Sequence, residues 1–378
     1  MKILLAGGGT AGHINPAIAI AQTVKAHHPD AEVLFIGNEG GLEQRLVPDA
    51  GFEIKSVSIR GFKRSLSPKA IAENIGTAFK AVTASKAAKK IIKEFAPDIC
   101  VGTGGYVSGP VIRAAQKLSI PTAVHEQNAY PGVTNKMLSK DAKRIMLAMD
   151  AARKHFDKNC KFSLTGNPVR SQILSTPTRE EARKMLGVDE RPLVLSFGGS
   201  MGARKINENM ASVIARSGND GRYNHIHAYG KYGLWLPDLV REKGADPDKC
   251  ANLDVREYIN NMDVCLAAAD LVVCRCGAIT LTEIQIMGKP SVLIPSPTVA
   301  ENHQFHNAMA LVNENAASVI EEKDLTEDRL TEEIDKILLN KDKLREYGEN
   351  AHKMAITDAN ERIYNVIADI LKENKKNK

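Results

Sequence analysis

Twice in this chain a short apolar run enters a glycine turn and then helical periodicity. Ile3-Leu4-Leu5-Ala6 leads into Gly7-Gly8-Gly9-Thr10-Ala11-Gly12. Leu193-Val194-Leu195-Ser196-Phe197 leads into Gly198-Gly199-Ser200-Met201-Gly202-Ala203-Arg204. A buried strand ending on glycines and feeding a helix opens a βαβ unit, the building block of a parallel sheet with helices on both faces. In the first repeat Asn15-Pro16 reads as the helix start, a capping side chain followed by proline. Ile18, Ala21 and Val24 then recur at helical spacing, and Glu32 to Gly37 reads as the next strand. Further strands are expected over 96–102, 120–125, 270–274 and 290–295.

At 378 residues the chain is too long for one ordinary core. The pattern pauses at Thr165-Gly166-Asn167-Pro168, and a short charged helix over 178–184 precedes its restart at Arg191. Two doubly wound domains are therefore expected, 1–164 and 165–357, with a helix and basic tail over 358–378 packing back on the first.

Charge divides unevenly, a net +10 over residues 1–168 against −4 over the remainder. The first half suits an anionic partner (nucleic acid, lipid headgroups or a phosphorylated substrate) or, equally on charge alone, an ordinary basic solvated surface. Only 5% of residues are aromatic and Trp235 is the sole tryptophan, which argues against a base-stacking nucleic-acid platform. No run approaches the roughly 20 apolar residues of a spanning helix, and the opening run is too short for a signal peptide, so a water-soluble cytoplasmic protein is expected. The six cysteines form no C-x-x-C pair, and His225 and His227 have no acidic or cysteine neighbour, so a metal site has little support.

The first loop matches G-x-G-x-x-G, which lets backbone approach a diphosphate at a helix N-terminus. A nicotinamide site also wants an acidic residue at the end of the second strand, where this chain has Gly37-Asn38-Glu39. A second turn, Gly102 to Pro110, follows another first-half strand, and a third opens the second half. Three such turns would ring one inter-domain cleft with backbone N–H groups. Cys274 to Glu283 reads as strand, turn and helix, with Thr280 able to cap or touch phosphate. Glu283, placed in the first helical turn, either complements the dipole or accepts two ribose hydroxyls.

Six motifs in order then make the chain resemble the MurG family of UDP-N-acetylglucosamine transferases of peptidoglycan synthesis. They are Gly8 to His13, Gly104 to Pro110, His125-Glu126-Gln127-Asn128, Gly166 to Arg170, Gly198 to Arg204 and Cys274 to Ala278. The resemblance implies a GT-B glycosyltransferase fold, two Rossmann-like domains facing across a cleft. It also implies an inverting reaction with no metal or cofactor, whose acceptor is a lipid-linked muramyl-pentapeptide. Carried over by motif, the nucleotide sugar would meet Thr10, Ala11, Gly12, Asn128, Arg170 and Ser200. Ile259, Ala278, Ile279, Thr280, Leu281, Thr282, Glu283 and Gln304 complete that set, and Gly104, Gly105, Tyr106 and Ser108 lie on the acceptor side. Ala11 stands where the family usually has glycine, Cys276 where serine is common, and His303 competes with Gln304 for the sugar.

His13 is the leading candidate for general base, since imidazole titrates near neutrality. A structural use as a helix N-terminal hydrogen bonder is equally open, and His125 and Glu126 compete. The basic cluster Arg60, Lys63, Arg64 and Lys69 beside Ile71, Ile75, Phe79 and Val82 reads as a cationic, apolar face for an anionic membrane surface or as an ordinary amphipathic helix. A peripheral place on the cytoplasmic side of the inner membrane follows from the implied acceptor. Rival readings are a nicotinamide-dependent oxidoreductase, another GT-B sugar-nucleotide transferase, a membrane-associated binding module, and a metal-dependent transferase using Asp246-Pro247-Asp248.

Overall fold

The computed structural model describes residues 1–59, 83–169 and 171–376. The chain forms two units: Met1–Val169 with Asp358–Lys378, and Arg170–Thr357. Each holds one parallel sheet, as the alternation of apolar strands, glycine turns and helices predicts.

In the first unit the strands are β1 (Lys2–Gly7), β2 (Glu32–Asn38), β3 (Glu53–Val57), β4 (Ile99–Gly104), β5 (Thr122–Glu126), β6 (Arg144–Leu147) and β7 (Phe162–Leu164). Their order is β3-β2-β1-β4-β5-β6-β7. Ile3, Leu4, Leu5 and Ala6 are fully buried, as expected of a strand covered by helices on both faces. On one face helix α1 (Ala11–His27) buries Ile14, Ala17, Ile20, Ala21 and Val24. The C-terminal helix Ala359–Lys376 adds Ile363, Ile367 and Ile370 to the same core.

Helix α1 begins at Ala11, four residues before the Asn15-Pro16 start expected from sequence. Thr10 is its N-cap, and the Thr10 carbonyl accepts from His13 N and Ile14 N. Pro16 lies inside the helix, so only the bond its missing N–H would make to the Gly12 carbonyl is lost. Strand β4 starts at Ile99 rather than Ala96, because Ala96 takes a left-handed φ of 51° and Pro97 has no N–H for a ladder.

In the second unit the strands are β8 (Leu193–Phe197), β9 (Asn224–Ala228), β10 (Leu253–Arg256), β11 (Leu271–Cys274), β12 (Ser291–Leu293) and β13 (Ser318–Val319). Their order is β10-β9-β8-β11-β12-β13. The charged helix lies at Arg179–Leu186, with a Thr178–Glu181 capping box at its start and Gly187 at φ 67° at its end.

Candidate active site

Each sheet reverses its winding direction beside its first strand, between β1 and β4 and between β8 and β11. In open parallel sheets, ligands bind in the crevice outside the strand C-terminal ends at such switch points.

In the first unit the glycine turns after β1 and β4 interlock. A Cβ on Gly105, at φ 76°, would fall 2.0 Å from the Gly8 carbonyl oxygen, and one on Gly9, at φ 87°, would fall 2.7 Å from the Tyr106 ring. Only glycine permits either approach. His13 is the third residue of α1. Its Nδ1 donates to Thr103 O at 3.1 Å, while Thr103 Oγ1 donates back to His13 O at 2.7 Å. A carbonyl can only accept, so the ring's lone pair sits on Nε2. Thr10, Ala11 and Gly12 are exposed around it. Ala11 has no left-handed φ, so its methyl group is accommodated there without strain.

Sequence reasoning did not single out Glu43, at the start of helix α2 (Glu43–Asp49). Its carboxylate is fully buried and accepts from Gly9 N at 3.2 Å and Asn38 N at 2.9 Å, tying the glycine loop to the end of β2. Asn38 Nδ2 in turn donates to the Tyr106 hydroxyl at 3.4 Å. Burial, with Glu43 close by, raises the Tyr106 phenol above its ordinary value. The spacing of Glu43 from the loop gives no local signal; only the fold brings them together.

His125 and Glu126, at the end of β5, are buried. His125 Nε2 donates to Gly166 O at 3.0 Å and its Nδ1 accepts from Gln127 Nε2 at 3.0 Å. Both nitrogens are thus engaged, and burial lowers the imidazole to about 4. Glu126 accepts from Asn128 N, Asn128 Nδ2, Gly132 N and Asn135 Nδ2, at 2.8–3.1 Å. Burial raises its carboxyl above the ordinary range against those bonds. The pair holds the 126–135 segment, and neither side chain presents a lone pair to solvent. Ser108 of helix α3 (Gly105–Gln116) is also fully buried, packed where a Cβ on Gly102 would stand, so its hydroxyl faces the sheet.

In the second unit a cleft of about 470 Å³ opens at the switch point. Its walls are the turn Phe197 to Ala203, the start of helix α4 (Ala278–Ile286) at Gly277 and Thr280, and Ser296 to Thr298 with Gln304. Gln304 Oε1 accepts from Ser296 N at 2.8 Å and Cys276 N at 3.3 Å, so the amide NH₂ is what the residue can offer a ligand. His303 instead donates Nδ1–H to Ala300 O at 2.7 Å. Arg275 lines the cleft while bonded to Glu322 and to the Ile294 and Pro295 carbonyls.

The expected contacts in α4 divide. Ala278, Ile279 and Thr280 are half-buried, whereas Leu281, Thr282 and Glu283 are buried. Glu283 is the sixth residue of α4, not in its first turn, because the helix has already started at Ala278 behind a Gly277 cap. Dipole complementation therefore does not account for it. Ser200 is exposed, Asn128 is half-buried and the Ile259 side chain is buried. Arg170 and the cluster from Arg60 to Val82 lie outside the described residues. Asp246 and Asp248 both pair with Arg241, and among the described residues no group of three His, Cys, Asp or Glu could hold a metal.

Residues 3–147 match the glycosyltransferase family 28 N-terminal domain and residues 193–363 its C-terminal domain. The chain is 48% identical over 373 residues to the UDP-N-acetylglucosamine--N-acetylmuramyl-(pentapeptide) pyrophosphoryl-undecaprenol N-acetylglucosamine transferase of Acetivibrio thermocellus, covering 98% of this chain and 99% of that protein. The enzyme of the same name from Bacillus cytotoxicus is 42% identical, over 99% of this chain and all of that protein. The crystal structure of Acinetobacter baumannii MurG superposes with a TM-score of 0.78 at 28% identity, covering 97% and 99% of the two chains. The chain belongs to the MurG family. It has the GT-B architecture of two Rossmann-like domains, shared also with a calicheamicin glycosyltransferase that is only 15% identical at a TM-score of 0.71, over 98% of each chain. Family membership makes the chain a hexosyltransferase and disfavours the oxidoreductase reading, which rested on one loop.

Proposed function

We propose that this chain transfers N-acetylglucosamine from UDP-N-acetylglucosamine to the muramyl 4-hydroxyl of undecaprenyl-pyrophosphoryl-N-acetylmuramyl-pentapeptide, with inversion and without a metal. The observation that carries this reading is the cleft between the Gly198–Gly202 turn and the start of α4, in a chain whose full-length relatives are named for this transfer.

As the sugar departs, the UDP diphosphate gains charge. Backbone amides of the glycine turn, the N-terminus of α4 and the fork of Arg170 donors stabilise it more than they stabilise the ground state. Gln304 donates its NH₂ to the sugar, and Glu283 accepts the ribose hydroxyls. Ile259, whose side chain is buried, meets the nucleotide sugar through its backbone. On the acceptor side, His13 Nε2 takes the proton of the attacking hydroxyl while Thr103 O holds Nδ1–H and fixes the ring. Gly104, Gly105 and Tyr106 shape that end, while Thr10, Ala11, Gly12 and Asn128 are contacts for the nucleotide sugar.

With radiolabelled UDP-N-acetylglucosamine and lipid-linked acceptor, label is expected to pass to the lipid fraction undiminished by chelator. No labelled lipid overturns the reading. Glu283→Ala is expected to weaken UDP binding by about 1.5–3 kcal/mol, the worth of hydrogen bonds to a charged group. An unchanged dissociation constant removes Glu283 from the site.

Among the described residues no helix is long and apolar enough to cross a membrane. A polyprenyl acceptor cannot leave the bilayer, so the enzyme works as a peripheral protein on the cytoplasmic face of the inner membrane, against anionic lipid and not nucleic acid. Lys63, Arg64 and Lys69 supply attraction of ~1 kcal/mol each near such a surface. Replacing all three with glutamine is expected to reduce co-sedimentation with anionic vesicles at low salt; equal sedimentation contradicts their role.

A further inference from the structure

Behind the glycine turn of the second unit, β8, β9 and the helix Arg204–Asp220 bury a row of polar side chains. Ser196, His225, His227 and Asn207 are each at most 1% exposed. His227 Nε2 donates to Asn207 Oδ1 at 3.2 Å, which leaves its Nδ1 as an acceptor for the Ser196 hydroxyl at 2.7 Å. Ser196 Oγ accepts in turn from His225 Nε2–H at 2.8 Å. Asn207 Nδ2 closes the row by donating to Tyr229 O at 2.8 Å. All donors therefore point one way, from His225 to the Tyr229 carbonyl. Burial pushes both imidazoles down to about 3, so both are neutral near pH 7.

The end of the row is where its use lies. Residues 229–233 form the backing of the glycine turn. Lys231 N donates to Ser200 O and Tyr232 N to Met201 O, each at 3.1 Å. A Cβ on Gly202, at φ 83°, would fall 2.2 Å from Tyr229 O, and one on Gly230 would fall 2.1 Å from Gly202 N. With the two backbones in direct contact, a shift of the Tyr229 carbonyl must move the turn. Packing alone does not call for histidines here: buried polar groups are costly unless paired, and His225 Nδ1 has no partner.

We propose that Ser196, His227 and Asn207 are positioning residues for the donor: their hydrogen-bond row fixes the 229–233 turn and thereby aims the amides of the Gly198–Gly202 loop at the diphosphate of the nucleotide sugar. This inference rests on the cleft being the UDP-sugar site, and the experiment separates the two.

His227→Asn places an amide where Nδ1 stands, keeping Ser196 and losing the donor to Asn207. His227→Gln places an amide where Nε2 stands, keeping Asn207. Asn207→Leu removes the bond to Tyr229 from the helix side and leaves both strands untouched. His227→Asn and Asn207→Leu are expected to raise the UDP-N-acetylglucosamine KM at least tenfold and to lower kcat as well, with the acceptor KM within twofold of wild type. His227→Gln is expected to stay within threefold on donor KM despite a comparable loss of Tm. Calorimetric UDP binding should follow the donor KM. Ser200→Asp, which sets a negative charge in the loop, is the control on the site itself. If Ser200→Asp binds UDP as wild type does, the cleft is not the diphosphate site and the functional reading of it falls. If Ser200→Asp loses UDP while Asn207→Leu, or His227→Asn where it folds, binds UDP within twofold of wild type, the positioning inference alone is overturned. Equal donor KM in His227→Asn and His227→Gln overturns it as well.

Discussion

His13→Ala is expected to lower kcat by about 10²–10⁴-fold, the usual worth of a positioned general base, with the UDP dissociation constant unchanged. The geometry makes the split sharp. His13 belongs to the first unit, whereas the cleft read as the UDP site lies in the second. Its Nδ1–H is bonded to Thr103 O, so removing the ring deletes the Nε2 lone pair. His125 is no substitute, since both its nitrogens are hydrogen-bonded and the ring is buried. Steady-state kinetics beside UDP calorimetry decides the matter. Equal loss of turnover and UDP affinity would mean that His13 holds the glycine loop rather than moving the proton.

The second large effect is acid instability. His225 and His227 are lowered to about 3, and His125 to about 4, against 6.5 for an unstrained histidine, in each case chiefly by burial. Below pH 6.5 the unfolded chain takes up protons that the folded chain refuses. Stability is therefore fully present above that value and is lost as pH falls toward the folded values. Each such proton is worth about 1.4 kcal/mol per pH unit. Between pH 6.5 and 4.5 the second unit should lose roughly 5 kcal/mol through its two histidines, and the first unit roughly half that through His125. Glu126, raised by burial, acts in the opposite sense in the first unit. Calorimetric scans against pH should show the two transitions separating, with the second unit falling faster. His225→Gln should flatten its acid limb by one proton. A Tm for the second unit that stays level from pH 6.5 to 4.5 would contradict neutral buried histidines.

Strands made of continuous apolar residues were legible in the sequence because burial on both faces leaves a one-dimensional signal. β1, β8 and β11 fall within one residue of the runs that predict them. Strands without such runs were not. β9 is Asn-His-Ile-His-Ala, polar at three of five positions yet wholly buried, because its histidines are paired across to β8 by Ser196. β3 is half exposed, and β7 and β13 are edge strands of three and two residues. The start of α1 was misplaced because Asn15-Pro16 carries a strong local signal, while the operative cap is the backbone of Thr10, which any residue could supply.

The candidate site was legible to the same extent. Glycine turns announce themselves, since no other residue allows the approach of Gly105 to Gly8. Motif resemblance brought in Gln304, and the fold places it on the cleft wall. Glu43 and Asn207 could not be read, because each acts on a segment more than 20 residues away through a contact that exists only once the sheet has formed. His125 and Glu126 stand out in their motif as titratable groups, and the structure buries both and engages them with Gly166 O and Asn135 Nδ2, contacts the motif itself does not announce.

Inverting transfer from the α-linked nucleotide sugar to the muramyl 4-hydroxyl leaves its record in the linkage of the product. The purified enzyme is supplied with UDP-N-acetylglucosamine and a short-chain analogue of the lipid-linked muramyl-pentapeptide, and the anomeric configuration is read by NMR. A β-(1→4) disaccharide is the expected product; an α linkage, another attachment point, or no disaccharide from folded, UDP-binding protein overturns this reaction.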